Sequence, residues 1–173
     1  MKTISVKQPW AYLLAASIKN IENRTWKLPE KYKGERVLIH ASARPKSWEQ
    51  FTNYIENLDP ENLELQRIIR DNSYSKSWLN SLETSAIIGS VRFVDCVINH
   101  PSIWAEKTER FAINESWPNG RPESAGKKGD IYNWVATDAV LFDKPILNVK
   151  GKLSFWDYPM TEEEYNNLAK IGV

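Results

Sequence analysis

Three charged side chains, Lys19, Glu22 and Arg24, occur within six residues of one another and between apolar neighbours. If residues 21–24 form a strand, Glu22 and Arg24 share one face, because side chains alternate along a strand. A lone charge is costly to remove from water, so we expect these groups to pair, to reach water at a cleft, or to hold a ligand. A desolvated lysine beside a carboxylate could also act as a base or nucleophile.

The elements before this triplet must position it. A short apolar run, residues 4–6, precedes Pro9, which fits the first turn of a helix because its missing N–H costs nothing there. Apolar residues and good helix formers continue from Trp10 to Ile18. This pattern predicts a helix that is apolar nearly all round and therefore buried.

The run 17–24, which follows Gln-Pro-Trp-Ala, resembles the Gly-x-Lys-x-x-Glu-x-Arg motif of the ASCH domain, named for activating signal cointegrator 1 homology. Ser17 stands where that motif has glycine. Later stretches, 85–98 with Asp95-Cys96 and 144–151, resemble further blocks of the same family. The resemblance implies an α+β fold, a PUA-like small mixed β-barrel decorated with several helices. It implies a single domain over residues 1–173, with a helical insertion at about 47–82.

The resemblance also implies function. It predicts a module that binds nucleic acid, in particular RNA, in a basic cleft beside the Lys-x-x-Glu-x-Arg motif, in transcription coactivation or RNA metabolism. The alternative is a hydrolase acting on RNA or on a modified nucleoside of the N4-acetylcytidine type, with Lys19 and Glu22 as its catalytic residues. The related amidohydrolases carry threonine three residues after this lysine, where this chain has Glu22. This departure favours a binding module over an enzyme.

In the predicted nucleic-acid site, Arg24 and Lys19 contact phosphate or a base edge, and Glu22 orients them or accepts from a base amino group. The remaining candidates flank the motif or add backbone contacts. The full set of candidate binding residues is Lys7, Gln8, Trp10, Lys19, Glu22, Arg24, Trp26, His40, Ser42 and Arg44, with Lys46 as a further backbone contact. A purely structural alternative is an internal salt-bridge network that fixes the turn between helix and strand.

Composition bounds these hypotheses. A chain of 173 residues with 42% hydrophobic and 26% charged residues is typical of one soluble globular domain. Residues 1–50 carry ten Lys/Arg against four Asp/Glu, so the motif lies in the basic part of the chain. Two histidines and one cysteine do not make a structural zinc site, and no apolar run reaches membrane length. We expect a cytoplasmic monomer with no metal, cofactor or membrane partner, whose ligand is RNA, another single-stranded nucleic acid or a nucleoside-like small molecule.

The rest of the chain supplies the scaffold. Stretches 36–41 and 85–98 are predicted strands, and Gly89 indicates a bulge or bend. Residues 131–137 and 140–149 are predicted as two strands joined by a turn around Asp138. Helices are predicted within 47–82, around 103–111, and from the Thr161-x-x-Glu164 capping box to near Gly172.

Overall fold

The computed structural model describes residues 1–44, 49, 75–108 and 129–169. Its strands are β1 (Lys2–Val6), β2 (Ile21–Arg24), β3 (Arg36–Ala41), β4 (Ala86–Ile98), β5 (Tyr132–Ile146) and β6 (Phe155–Asp157). Its helices are α1 (Trp10–Ala15), α2 (Lys76–Ser81) and α3 (Glu162–Ala169), with a 3-10 turn at Glu30–Tyr32. The predicted helices between residues 45 and 74 lie outside the described residues, except for the isolated Glu49.

The six strands form one mixed sheet in the order β2-β5-β4-β3-β1-β6. Strands β1 and β3 are parallel, and the other neighbours are antiparallel. The sheet curls into a half-barrel, so that β2 at one end approaches β1 near the other end. The Arg24 side chain on β2 spans this approach by donating from Nη2 to the backbone oxygen of Ser5 on β1 at 2.8 Å. The fold is therefore α+β, as the resemblance implied.

The interior of the half-barrel is packed with aromatic rings. Trp134 is fully buried and stacks on Phe155 at 5.6 Å between ring centroids with nearly parallel planes. Phe93 and Trp26 meet Trp134 edge to face at 5.2 and 4.5 Å. Because Phe155 belongs to β6 and Trp134 to β5, these contacts join distant strands across the curled sheet and hold its curvature.

Helix α1 closes one side of the half-barrel and ends earlier than its composition predicts. Ala11, Leu13, Leu14 and Ala15 are buried, but the helix stops at Ala15. The chain then turns through Ser17, which adopts a left-handed φ of 61°. Ser17 thus takes a left-handed conformation, which glycine adopts most readily, and the turn delivers the chain into β2.

Two further predictions need correction. Residues 131–149 are not two strands joined by a turn: β5 runs from Tyr132 to Ile146, and both of its halves pair with β4. Asp138, with φ 49°, lies at an irregularity within this strand rather than in a hairpin. No helix is present in the described part of the 103–111 stretch, which ends at Thr108 and consists of turns and irregular chain.

Several predictions are confirmed. The strand at 36–41 has the predicted bounds, and α2 lies within the stretch 47–82 that is predicted to contain helices. The capping box at α3 forms in both directions: Glu164 N donates to Thr161 Oγ1 at 3.1 Å, and Thr161 N donates to Glu164 Oε2 at 2.7 Å. Among the described residues, none of the helices has the length and apolar character required to cross a bilayer.

Gly89 lies at a register irregularity in β4, as predicted, and its lack of a side chain permits close packing. A Cβ at this position would overlap the backbone oxygen of Val140 and lie 2.9 Å from Ala15 Cβ. We therefore expect Gly89→Ala to lower the free energy of unfolding by about 1–3 kcal/mol, the usual cost of overpacking. Urea unfolding measures this difference. Gly129→Ala is the control, because a Cβ at Gly129 meets no atom of the described part of the chain within 4 Å. Equal stability of the two variants would contradict the prediction.

Candidate functional site

A pocket of about 660 Å³ opens where β2 approaches β1, and we call it the seam pocket. Six of the candidate residues named from the sequence line it: Lys7, Trp10, Glu22, Arg24, His40 and Ser42. The wall is completed by Ser5, Val6, Asn23, Ser85, Lys150, Gly151, Lys152 and Leu153. The structure thus brings together residues from the N-terminal motif, from β3 and from the segment that follows β5.

The charged triplet forms a connected chain at this wall. Glu22 Oε2 lies 3.3 Å from Lys19 Nζ, and Glu22 Oε1 lies 3.0 Å from Arg24 Nε. The second pair is an ion pair only, because Arg24 Nε has no partner in hydrogen-bonding geometry among the described residues. Lys19 Nζ also donates to the backbone oxygen of Ile21. The structure therefore places one carboxylate between two cations, and Glu22 and Arg24 share a face of β2, as alternation along a strand predicts.

Burial differs sharply within the triplet. The side chains of Lys19 and Glu22 are 3% and 8% exposed, whereas that of Arg24 is 23% exposed. Burial lowers the pKa of Lys19 below its ordinary value of 10.5, and the Glu22 carboxylate opposes this shift. Arg24 is the member of the triplet that reaches the pocket as a cation, and its guanidinium carbon lies 6.0 Å from the centre of the Trp134 ring.

Lys19, in contrast, does not line the seam pocket. Its ammonium group lies behind Glu22 and 5.9 Å from the centre of the Trp10 ring. Trp26 is also absent from the pocket wall, because its ring packs edge to face against Trp134 and Phe155 in the interior. Both residues therefore support the wall rather than form it.

Gln8 and Arg44 are likewise engaged in structural contacts. The Gln8 side chain is buried, donates to the backbone oxygen of Glu83 at 2.8 Å, and accepts from Tyr12 N at 3.1 Å. Arg44 Nε donates to the backbone oxygen of Leu82 at 2.9 Å, and Nη2 donates to the same atom. These two side chains connect the start of α1 and the end of β3 to the segment before β4. Lys46 lies outside the described residues.

A segment that the sequence analysis did not assign to the site, residues 149–153, forms part of the wall, and we call it the strap. His40 Nε2 lies 2.9 Å from the backbone oxygen of Val149, and His40 Nδ1 lies 3.2 Å from Ser5 Oγ. Ser5 Oγ in turn donates to the backbone oxygen of Lys152 at 3.0 Å. These contacts fix the strap to β1 and β3, on the side of the pocket away from β2.

Gly151 explains why the strap can approach so closely. A Cβ at this position would lie 2.5 Å from His40 Cε1 and 2.9 Å from Ser5 Oγ, closer than real Cβ atoms come. The Lys150-Gly151 pair was visible in the sequence as part of a family-like block. Its role in the pocket was not, because the strap and His40 are more than 100 residues apart in the chain.

The charge of the pocket wall is strongly positive. Among the described residues of the wall, one is a carboxylate, Glu22, and four are cations: Lys7, Arg24, Lys150 and Lys152. Among the described residues, the three lysines have no acidic group within ion-pair distance, whereas Lys33 and Lys2 elsewhere on the surface pair with Asp95 and Asp157. An open pocket with unneutralised cations attracts anionic ligands.

The side-chain types that bind metal ions are not clustered in the part of the chain that the structure describes. No group of three or more His, Cys, Asp or Glu side chains there is arranged to hold a metal ion. Cys96 is half-buried, and its Sγ accepts from the backbone nitrogen of Leu28 at 3.4 Å. Cys96 thus packs against the segment that follows β2. The ring of His40 contacts other residues, Ser5 and Val149.

With the fold and the pocket described, comparison with known proteins identifies the class. The sequence model of the ASCH domain matches residues 4–146, so the chain belongs to the ASCH-domain family, within the PUA-like superfamily. No curated protein matches the chain. The strap begins just after the residues that the family match covers.

Solved structures give a consistent but distant likeness. A crystal structure of ASCH from Zymomonas mobilis is 12% identical, with 99% of this chain and 95% of that chain covered and a TM-score of 0.49. Two single-substitution mutants of the Zymomonas mobilis protein are 12% and 13% identical over 99% of this chain and 96% and 98% of theirs, with TM-scores of 0.47 and 0.48. The family assignment rests on the sequence match and not on these structures.

Proposed function

We propose that this ASCH domain binds single-stranded RNA and that one nucleotide of the strand enters the seam pocket. The observation that carries the proposal is the pocket itself, with a volume of about 660 Å³. Its described wall residues include four cationic side chains, one carboxylate and a half-buried tryptophan. This volume falls within the usual range for small-ligand sites. Cations suit the phosphates, and an aromatic face suits a base.

The motif side of the pocket supplies three distinct contacts. Arg24 has five N–H donors, of which Nη2 is used on Ser5 among the described residues, so donors remain for a phosphate or a base edge. Lys7 is exposed at the pocket and supplies a further cation for the backbone. Glu22 can accept from a ligand N–H, which favours bases that carry an exocyclic amino group.

The alternative function, hydrolysis of a modified nucleoside or of RNA, needs Lys19 at the reacting atoms. The amine of Lys19 instead donates to Ile21 and lies beside Glu22, and Lys19 does not line the pocket. Glu22 also stands where the related amidohydrolases have threonine. These observations favour binding over catalysis for this chain.

The test is the binding of a fluorescently labelled single-stranded oligoribonucleotide, measured by anisotropy at several salt concentrations. We expect affinity to fall steeply with salt, because each phosphate contact on a single strand contributes about 0.7 to the slope of log affinity against log salt. Arg24→Gln should weaken binding by about tenfold to hundredfold, since a hydrogen bond to a charged group contributes about 1.5–3 kcal/mol.

Arg92→Gln is the matched control. Arg92 is a half-exposed arginine on β4, does not line the pocket, and lies 3.5 Å from Asp138, so its loss removes the same charge away from the site. Binding that is insensitive to salt, or an equal loss in the two variants, would contradict the proposal. An equal affinity for single-stranded DNA of the same sequence would contradict its assignment to RNA.

A further inference from the structure

We infer that the strap is the second half of the binding site, and that it holds the phosphate backbone of a strand rather than a free nucleoside. In this arrangement Lys150 and Lys152 contact phosphates next to the nucleotide in the seam pocket, and Leu153 packs on that nucleotide. The inference rests on the proposed function, which counts the charge of the strap lysines but assigns ligand contacts only to Arg24, Lys7 and Glu22 on the motif side.

The strap forms a fixed wall of the seam pocket. Val149 is held on both its backbone groups: its nitrogen donates to Ser85 O at 2.7 Å, and its oxygen lies 2.9 Å from His40 Nε2. The oxygen of Lys152 accepts from Ser5 Oγ. These contacts, together with the close packing of Gly151 on His40, give the strap a defined position before any ligand arrives. A preorganised wall loses little entropy on binding.

The strap carries two positive charges. Lys150 and Lys152 line the pocket and are exposed, and neither has an acidic group within ion-pair distance among the described residues. The Lys152 ammonium lies 5.6 Å from the centre of the Trp156 ring. Two such cations on one short wall have no complementary group on an uncharged nucleoside, but they match consecutive phosphates of a strand.

Leu153 on the strap is 95% exposed although it lines the seam pocket. Two other large hydrophobic side chains of the described residues are exposed, Val94 and Leu147, but only to 38% and 51%. A leucine held in full contact with water at the mouth of a pocket gains apolar contact when a base or sugar covers it. Leu153 therefore adds affinity that does not depend on salt.

The charge argument and the apolar argument make separable predictions for the same oligoribonucleotide. Lys150→Gln/Lys152→Gln should reduce the magnitude of the salt slope by about 1.4 and weaken binding about 20-fold near 0.1 M salt, because two phosphate contacts are lost. Leu153→Ser should weaken binding about threefold to tenfold and leave the slope unchanged. The same lysine variant should not alter binding of an uncharged nucleoside.

Matched controls exist for both changes. Lys27→Gln/Lys144→Gln removes the same charge from exposed positions outside the pocket, and Leu147→Ser removes an exposed leucine close to the strap but not lining the pocket. Lysine and leucine variants that bind like their controls would overturn the inference, while salt-sensitive binding lost in Arg24→Gln would leave the proposed function standing. Absence of RNA binding by the parent protein would instead remove the proposed function itself.

Discussion

Replacing Glu22 by alanine is expected to lower the free energy of unfolding by about 3–5 kcal/mol, because it leaves the buried ammonium of Lys19 without its counter-charge. The Lys19 side chain is only 3% exposed, and Glu22 Oε2 is 3.3 Å from Nζ. Urea unfolding at neutral pH measures the loss. Asp143→Ala, which removes an exposed carboxylate from β5, is the control for net charge.

Removing the cation instead of the carboxylate should lower the free energy of unfolding much less. In Lys19→Met the carboxylate of Glu22 keeps its ion pair with Arg24 at 3.0 Å, and Arg24 is partly exposed to water. A methionine also fills much of the volume that the lysine stem occupied. The double variant Lys19→Met/Glu22→Ala should recover part of the stability lost in Glu22→Ala, because no buried cation remains. A larger loss in Lys19→Met than in Glu22→Ala would contradict this account.

The same pair predicts a dependence on pH. Burial places the pKa of Lys19 in the folded state below its value of 10.5 in an exposed chain, even though Glu22 opposes the shift. Between these two pKa values the unfolded chain binds more protons than the folded protein, so the contribution of Lys19 to stability rises with pH. At lower pH both states are protonated, and the penalty for burying the cation is constant. The stability of the parent relative to Lys19→Met should therefore increase toward pH 10.5.

The local part of the site could be predicted from the sequence. Alternation along β2 places Glu22 and Arg24 on one face, and the cost of burying a lone charge requires the triplet to pair, to reach water at a cleft or to hold a ligand. The structure shows the first two outcomes, because Glu22 pairs with both cations and Arg24 lines the seam pocket. The barrel-like fold could be predicted too, but from the resemblance of the motif to a known family and not from the periodicity of the sequence.

The strap could not be predicted, because its place in the site depends on contacts between distant parts of the chain. Nothing in the residues around Gly151 indicates that they pack on His40, and that contact arises only when the chain returns from β5 to β1. Proximity to the motif was also an imperfect guide. Gln8 and Trp26 neighbour wall residues in sequence, but their side chains are directed to Glu83 and to the interior rings.

Substitution by alanine should affect two tryptophans near the site differently: Trp134→Ala should lower mainly the stability, and Trp10→Ala mainly the RNA affinity. Trp134→Ala is expected to lower the free energy of unfolding by about 3–5 kcal/mol, since the ring is fully buried and removing it leaves a large cavity. The change also removes the hydrogen bond from Nε1 to the backbone oxygen of Trp26 at 3.2 Å and the stacking on Phe155. Thermal and urea unfolding measure the loss.

Trp10→Ala should lower the free energy of unfolding less than Trp134→Ala does, and it should weaken RNA binding more. Trp10 is half-buried at the start of α1, and it lines the seam pocket in which the proposed function places a nucleotide. A base stacked on an aromatic side chain contributes about 1–3 kcal/mol, which predicts a loss of about fivefold to 150-fold in RNA affinity below the melting temperature. Because stacking is not ionic, the salt slope of Trp10→Ala should equal that of the parent. Unchanged RNA affinity in Trp10→Ala would show that the ring only packs on α1, and would remove the aromatic wall from the proposed site.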